Sequence, residues 1–197
     1  MTAVQQEIGS RGRIIAAARQ LFVAQGFHQT PMSELATVAK VSVGQVYRLF
    51  KNKNDIILAI VDDDSYHRFG EMEAICARVK AGALSIEAAV EQITLLSMVE
   101  EDEALTFEIL AEAHRNPDVA ATIEGLCGRY REIMRDLARG ANPSLSEVDL
   151  DAAEELLLAC LFGLGHRSLS RARLPIPQTA ALTARMIVAA LRATGEG

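Results

Sequence analysis

The sequence lacks the features of membrane and secreted proteins. No run of 18 apolar residues occurs, which excludes a transmembrane helix, and the longest apolar segment, residues 156–165, is too short to cross a bilayer. The first ten residues contain no basic segment followed by an apolar run, so we expect no secretory signal. We therefore predict a cytoplasmic protein with no membrane partner.

Signatures of metal sites, disulfides and catalysis are also scarce. The three cysteines are far apart and form no CxxC pair, which favours free thiols in a reducing compartment. The four histidines have no metal-ligand spacing, and GxSxG, P-loop and HExxH motifs are absent. Three consecutive aspartates at 62–64 fit a cation site or, more simply, a solvated helix face. We expect no enzyme, no metal and no cofactor.

Composition and periodicity predict an all-α fold. Half of the residues are apolar and only 5% are aromatic, with few β-branched runs, which favours helices over strands. After a flexible arm over residues 1–10, the apolar spacing predicts nine helices in two regions. The third helix is predicted to start at residue 42, and the predicted bounds of the others are about 11–25, 31–39, 54–80, 85–99, 102–115, 117–138, 147–169 and 177–194.

The charge is divided unevenly along the chain. Residues 1–53 hold seven Lys/Arg and two Asp/Glu, which gives a net charge of +5. Residues 54–197 hold thirteen Lys/Arg and twenty-four Asp/Glu, which gives a net charge of −11. Because the whole chain has a net charge of −6, a polyanion partner is expected only at the N-terminal quarter.

Two short helices lie within this basic quarter. Thr30 is a suitable N-cap for the first, with Pro31 at its first helical position. Ser42 begins the second, and Ser42 with Gln45 has the spacing of a capping box. Val46 and its apolar neighbours can face inward. A turn of about four residues joins the two helices, which indicates a helix-turn-helix.

The segment from residue 26 to 56 resembles the DNA-binding region of the TetR family of bacterial transcriptional regulators. The resemblance is strong over residues 11–56, and beyond that only the general helical plan is similar. Lys40 stands where the family usually has a turn glycine, so it needs a positive φ or a different turn. Leu49 replaces a usual aromatic residue. The matching positions are Gly26, Phe27, Thr30, Met32, Glu34, Leu35, Ala36, Ala39, Val41, Ser42, Gly44, Val46, Tyr47, Phe50 and Lys53.

The resemblance implies a helix-turn-helix domain over residues 11–53 and a ligand-binding and dimerisation domain over 54–197, linked by a long helix at about 54–80. The third helix would enter the major groove. Phosphates would be bound by Tyr47 and Lys53 and by the helix N-termini at Thr30 and Ser42. Bases would be contacted by Val43, Gly44, Gln45 and Arg48, and Lys51 completes the predicted DNA-binding set. Gln45 has the alternative role of capping its own helix.

Two further sets of residues are predicted in the C-terminal region. The apolar segment 156–165 is either an ordinary core helix or a dimer helix, and the resemblance favours the dimer. The predicted interface is Leu157, Leu161, Gly163, Leu164, Leu182, Met186, Ala189 and Ala190. A small apolar or amphipathic effector would bind among Met98, Phe107, His114, Tyr130, Met134, Phe162 and His166, although such residues are more often plain core.

Together these expectations describe a ligand-responsive repressor that binds double-stranded DNA at a palindromic operator as a homodimer and is released by an effector. The alternative is a helical small-molecule carrier or interaction module that does not bind an operator. The charge division between residues 1–53 and 54–197 favours the repressor.

Overall fold

The computed structural model describes residues 3–98 and 103–194. Within these ranges it contains helices and no strand, which confirms the predicted all-α class. The described residues form nine α-helices and one 3₁₀ helix. Their bounds are α1 Ala3–Gln25, α2 Met32–Val38, α3 Val43–Leu49, α4 Lys53–Lys80, α5 Ile86–Met98, α6 Glu103–Ala113, α7 Pro117–Ala141, α8 Glu147–Gly165, the 3₁₀ helix Arg167–Ser170, and α9 Ile176–Ala193.

The first helix begins earlier than predicted. The flexible arm is wrong for residues 3–10, because α1 starts at Ala3. Glycine weakens a helix interior, and Gly9 and Gly12 lie in this stretch, but Ser10 between them and Ile14 one turn later are completely buried. Tertiary packing therefore extends the helix through the glycines. Residues 1 and 2 lie outside the described residues.

Several other helix ends differ from their predictions. The predicted end of the fifth helix at 99 and the predicted start of the sixth at 102 lie outside the described residues. Helix α7 continues to Ala141, and α8 ends at Gly165 instead of 169 because the chain there tightens into the 3₁₀ helix. The long fourth helix agrees closely with its prediction.

The described residues form two compact units. The first comprises residues 3–65 and 103–124. Its core is made by α1, the two short helices and the first half of α4, with Phe22, Leu35 and Ile56 almost fully buried. The predicted division of roles between residues 11–53 and 54–197 stays a prediction, because the two units describe packing and not function.

The second unit comprises residues 66–98 and 125–194. Helix α5 packs against α8 and α9, and a single apolar core includes Phe69, Ile93, Met134 and Leu150. Arg135 of α7 makes ion pairs with Glu147, Asp151 and Glu154 at the start of α8. These contacts hold α7 and α8 together on the surface of the core.

Candidate nucleic-acid interface

The turn between α2 and α3 passes through a left-handed residue. Lys40 adopts a left-handed conformation with φ of 54°, so of the two alternatives that the sequence left open, a positive φ or a different turn, the structure has the positive φ. The backbone N–H of Val41 donates to Ala36 O at 3.0 Å, and that of Lys40 donates to Thr37 O at 3.2 Å. These bonds satisfy carbonyls at the end of α2 and turn the chain sharply.

Helix α3 is capped and anchored, and its outer face is exposed. Ser42 is the N-cap, and its hydroxyl accepts a hydrogen bond from Gln45 N at 3.1 Å. Val46 and Phe50 are buried in the unit's core. The opposite face presents the predicted DNA-contacting residues to solvent: Val43, Gly44, Tyr47, Arg48 and, just after the helix, Lys51. Tyr47 is 53% exposed.

Thr30 is not the N-cap of α2, contrary to the prediction. Its side chain is 0% exposed, and its hydroxyl donates to Gly26 O at 2.9 Å and accepts from Gln25 Nε2 at 3.3 Å. The N-cap of α2 is Pro31, without a side-chain cap. Thr30 therefore closes the loop between α1 and α2, and its side chain is not accessible to a phosphate.

Lys53 is engaged inside the unit. Its ammonium group donates to Phe27 O at 2.6 Å and to His28 O at 3.2 Å, and it lies 4.6 Å from the centre of the Phe27 ring. Burial lowers the pKa of Lys53, and the carboxylate of Glu112 acts in the opposite direction. Lys53 thus joins α4 to the loop after α1, and the predicted phosphate contact is left with at most one N–H donor.

Gln45 has a partner that the local pattern did not indicate. The predicted capping box is only half formed: the Gln45 side chain donates from Nε2 to Ser10 Oγ at 2.7 Å. Arg13 donates from Nη2 to the same hydroxyl at 3.2 Å and from Nε to Ala39 O at 3.1 Å. One signal in the sequence could have indicated that Ser10 faces the core: it lies four positions before Ile14, which is the spacing of residues on the same face of a helix.

The aspartate run is paired with an arginine. Both terminal nitrogens of Arg19 donate to the Asp64 carboxylate, at 2.9 and 2.5 Å, and Asp63 Oδ2 lies 3.7 Å from Arg19 Nη2. Among the residues that the structure describes, no group of His, Cys, Asp or Glu is arranged to hold a metal ion. The run fixes α4 to α1 within the first unit.

The residues predicted to line an effector pocket belong to two different units, and their shared role stays a prediction. Phe107 and His114 are exposed residues of the first unit, whereas Met98, Tyr130, Met134, Phe162 and His166 belong to the second. Met134 is buried in the core. The second unit has cavities of 260 and 150 Å³, and none of the predicted residues lines either of them.

The predicted dimer residues divide between core and surface. Leu157 is 3% exposed and belongs to the core of the second unit, so its assignment to an interface is wrong. Leu161 packs at the edge of that core, and Leu164 is half-buried. The other residues lie at the surface: Gly163, Leu182, Met186, Ala189 and Ala190. Exposed Leu156 and Phe162 of α8 add apolar surface that the prediction omitted from the interface.

Comparison with known proteins agrees with this arrangement. Residues 14–60 match the family of bacterial regulatory proteins, tetR family. The chain is 29% identical over 164 residues to the HTH-type transcriptional regulator UidR of Escherichia coli K12, with 79% of each chain covered.

Two solved structures show a similar fold. Salmonella enterica GusR has a TM-score of 0.69 and 25% identity, covering 92% of this chain and 94% of that one. FadR from Bacillus subtilis, solved in complex with stearoyl-CoA, has a TM-score of 0.73 and 18% identity, covering 90% and 97%.

No helix within the described ranges combines the length and apolar character needed to cross a membrane. The helix-turn-helix geometry, the match over residues 14–60 and the related regulators lead to one assignment. Residues 14–60 form a helix-turn-helix that matches the tetR family of bacterial regulatory proteins, and over most of its length the chain is similar to HTH-type transcriptional regulators.

Proposed function

We propose that this regulator is a repressor that binds a palindromic operator as a homodimer and releases it when a small molecule binds. The observation that carries the DNA-binding part is the outer face of α3. Tyr47, Arg48 and Val43 are exposed together there, while Val46 and Phe50 secure the helix from below. A rigid, basic and aromatic surface on a supported helix suits the major groove.

The roles on this face follow from side-chain chemistry. The Tyr47 hydroxyl and the Lys51 ammonium are suited to phosphate oxygens, which set register and affinity. Arg48 can donate two hydrogen bonds to guanine, and Val43 can contact a thymine methyl group. Gly44 adds no side chain, so the backbone of the first turn of α3 can approach the DNA closely. In this proposal Lys51 has the phosphate-binding role that was predicted for Lys53.

The homodimer is supported by an apolar surface on the last two long helices. Met186 is 72% exposed, and Leu182, Leu156 and Phe162 are also exposed. Large exposed apolar side chains on neighbouring helices are typical of subunit interfaces. A two-fold dimer would place two α3 helices about 34–36 Å apart, one turn of B-DNA.

An effector would bind in the second unit and displace α4, whose N-terminal end follows α3 directly in the chain. An amphipathic molecule is the class we favour, because the similarly folded FadR was solved with stearoyl-CoA. The cavities of 260 and 150 Å³ are below the roughly 300–1,000 Å³ of typical ligand sites. An effector that used either of these two cavities would have to widen it.

DNA binding is tested with the purified protein and a random-sequence duplex at increasing salt concentrations. We expect the logarithm of the association constant to fall steeply with the logarithm of salt concentration. Tyr47→Phe, Arg48→Ala and Lys51→Ala should each weaken binding, and Lys51→Ala should reduce the slope by about 1. Arg131→Ala, at an exposed position of the second unit, is the control. Unchanged binding in all three variants would refute the interface.

The carrier alternative makes the opposite prediction for the same measurement. A protein that does not bind DNA shows no salt-dependent association with the duplex. The dimer is tested separately by sedimentation of Met186→Glu, which should be monomeric and folded, with Tyr66→Glu on α4 as an exposed control. A wild-type protein that is monomeric at micromolar concentration contradicts the homodimer.

A further inference from the structure

A buried hydroxyl lies directly behind the first turn of α3. Ser10 is 0% exposed, yet its Oγ is 2.7 Å from Nε2 of Gln45, which is itself only half-buried. The same oxygen is 3.2 Å from Nη2 of Arg13. A hydrogen-bonded chain therefore runs from Arg13 through Ser10 to a side chain on the helix that faces DNA in the proposed function.

The arginine is necessarily a donor in this chain. A guanidinium can only donate hydrogen bonds, so the Ser10 oxygen accepts from Arg13. Arg13 is held in turn by its second bond, from Nε to Ala39 O at 3.1 Å, at the end of α2. The remaining lone pair of Ser10 Oγ accepts from the amide nitrogen of Gln45. The arrangement links α1, α2 and α3 through one hydroxyl.

When the nitrogen of a primary amide is hydrogen-bonded inside the protein, the direction in which its carbonyl oxygen points is set as well. Gln45 keeps its carbonyl oxygen and one N–H for an outside partner. An amide that is not held can rotate by half a turn and exchange its donor and acceptor ends. In this structure the amide nitrogen faces Ser10, so the Gln45 carbonyl is presented as an acceptor.

We propose that Ser10 is a positioning residue for sequence specificity: through Gln45 it makes the protein prefer, at one base pair, a base that carries an exocyclic amino group in the major groove. Adenine N6 and cytosine N4 are such donors, whereas guanine O6 and thymine O4 are acceptors. The inference rests on the proposed function, because it requires α3 to lie in the major groove.

The experiment is selection of binding sites from a randomised duplex library by the full-length protein, followed by sequencing. For the wild type we expect one position where adenine or cytosine is favoured over guanine and thymine by roughly tenfold, the value of one hydrogen bond. Ser10→Ala should reduce this preference to within about threefold and leave the other positions unchanged. Ser65→Ala, a helical serine of the same unit, should change nothing.

A double variant provides a rescue that a purely structural role would not show. Ser10→Ala combined with Gln45→Glu replaces the amide with a carboxylate, which has no donor end to exchange. We expect it to restore the preference for adenine or cytosine even if overall affinity falls. Gln45→Ala should remove the preference, and it tests the inference independently of any effect of Ser10→Ala on folding.

The outcomes are distinct. If the wild type enriches no sequence, the proposed function fails and this inference fails with it. If the wild type enriches a site but Ser10→Ala keeps the same base preference at every position, the proposed function stands and the role of Ser10 is overturned. An unchanged preference in Gln45→Ala overturns it equally.

Discussion

The carboxylate of Glu108 accepts a hydrogen bond from the backbone N–H of Phe27, with Glu108 Oε2 and Phe27 N 3.1 Å apart. The contact joins α6 to the chain immediately after α1. Gly26, just before Phe27, has φ of +84°, a conformation that favours glycine. A residue 81 positions away in sequence therefore stabilises the turn that leads into the helix-turn-helix.

Glu108→Ala should destabilise the first unit. The variant leaves the N–H of Phe27 without its acceptor, and hydrogen bonds to charged groups contribute about 1.5–3 kcal/mol. Because Glu108 is only half-buried, we expect a loss of about 1–2 kcal/mol in the free energy of unfolding. Urea denaturation measures it, with Glu124→Gln, an exposed glutamate of the same unit, as the control. Equal stability of Glu108→Ala and wild type would show that the contact is dispensable.

Lys53 and Lys51 should behave differently when each is replaced with alanine. Lys53→Ala removes the donor to two backbone carbonyls and the contact with the Phe27 ring. We expect it to lower the free energy of unfolding by about 1–2 kcal/mol. Lys51 is exposed, so Lys51→Ala should change stability by less than about 0.5 kcal/mol and act on DNA binding instead.

Denaturation and salt-dependent DNA binding are measured on both of these variants. If Lys53→Ala were as stable as wild type and reduced the salt slope by about 1, Lys53 would be a phosphate ligand after all.

Gly165→Ala should be destabilising through a backbone clash. A Cβ atom at this position would lie 2.8 Å from the carbonyl oxygen of Ser97, so α8 and α5 would have to separate. We expect a loss of about 1–3 kcal/mol in the free energy of unfolding. Gly128→Ala in α7 is the matched control, because nothing lies within 4 Å of its Cβ position. That control should gain about 0.5–1 kcal/mol from helix propensity.

The cysteines should differ in reactivity. Cys76 is buried, and its burial, together with the carboxylate of Asp136, raises the pKa of the thiol above its ordinary value of 9.0. Cys127 is exposed. With iodoacetamide at about pH 7.5, Cys127 should be modified at least roughly tenfold faster than Cys76, because only the thiolate reacts. Peptide mass spectrometry over time measures both sites, and comparable rates would contradict the burial of Cys76.

The N-cap of α8 should be sensitive to acid. Ser146 and Asp149 form a complete capping box, with N···O distances of 3.2 and 3.1 Å. Hydrogen bonds from Ser146 lower the pKa of Asp149 below its ordinary value of 3.8. A carboxylate with a lowered folded pKa stabilises the fold above the unfolded pKa, and this contribution is lost as the pH falls through the folded pKa.

We expect Ser146→Ala to lower the free energy of unfolding by about 1 kcal/mol at neutral pH. Its difference from wild type should shrink as the pH falls below 3.8. Ser85→Ala is the control, because the Ser85 hydroxyl accepts from Ala88 N without a partner carboxylate at that position. Denaturant titrations over a pH series measure both variants, and an equal pH dependence for the two would contradict the role of Asp149.

The local sequence determined most of the secondary structure and the helix-turn-helix. Ser42 caps α3, and Lys40 adopts a positive φ. The cap follows from a hydroxyl three positions before an amide, whereas the sequence left open whether Lys40 takes a positive φ or the turn differs. The charge division between residues 1–53 and the remainder likewise needed no coordinates.

Tertiary structure alone decided how the candidate interface is built. Thr30 and Lys53 have the residue types expected of phosphate ligands. Packing buries the side chain of Thr30, and the ammonium group of Lys53 donates a hydrogen bond to the loop after α1. Ser10 meets Gln45 across 35 positions of sequence. Such contacts depend on how the helices pack, because packing determines which donors and acceptors lose water and must pair within the protein.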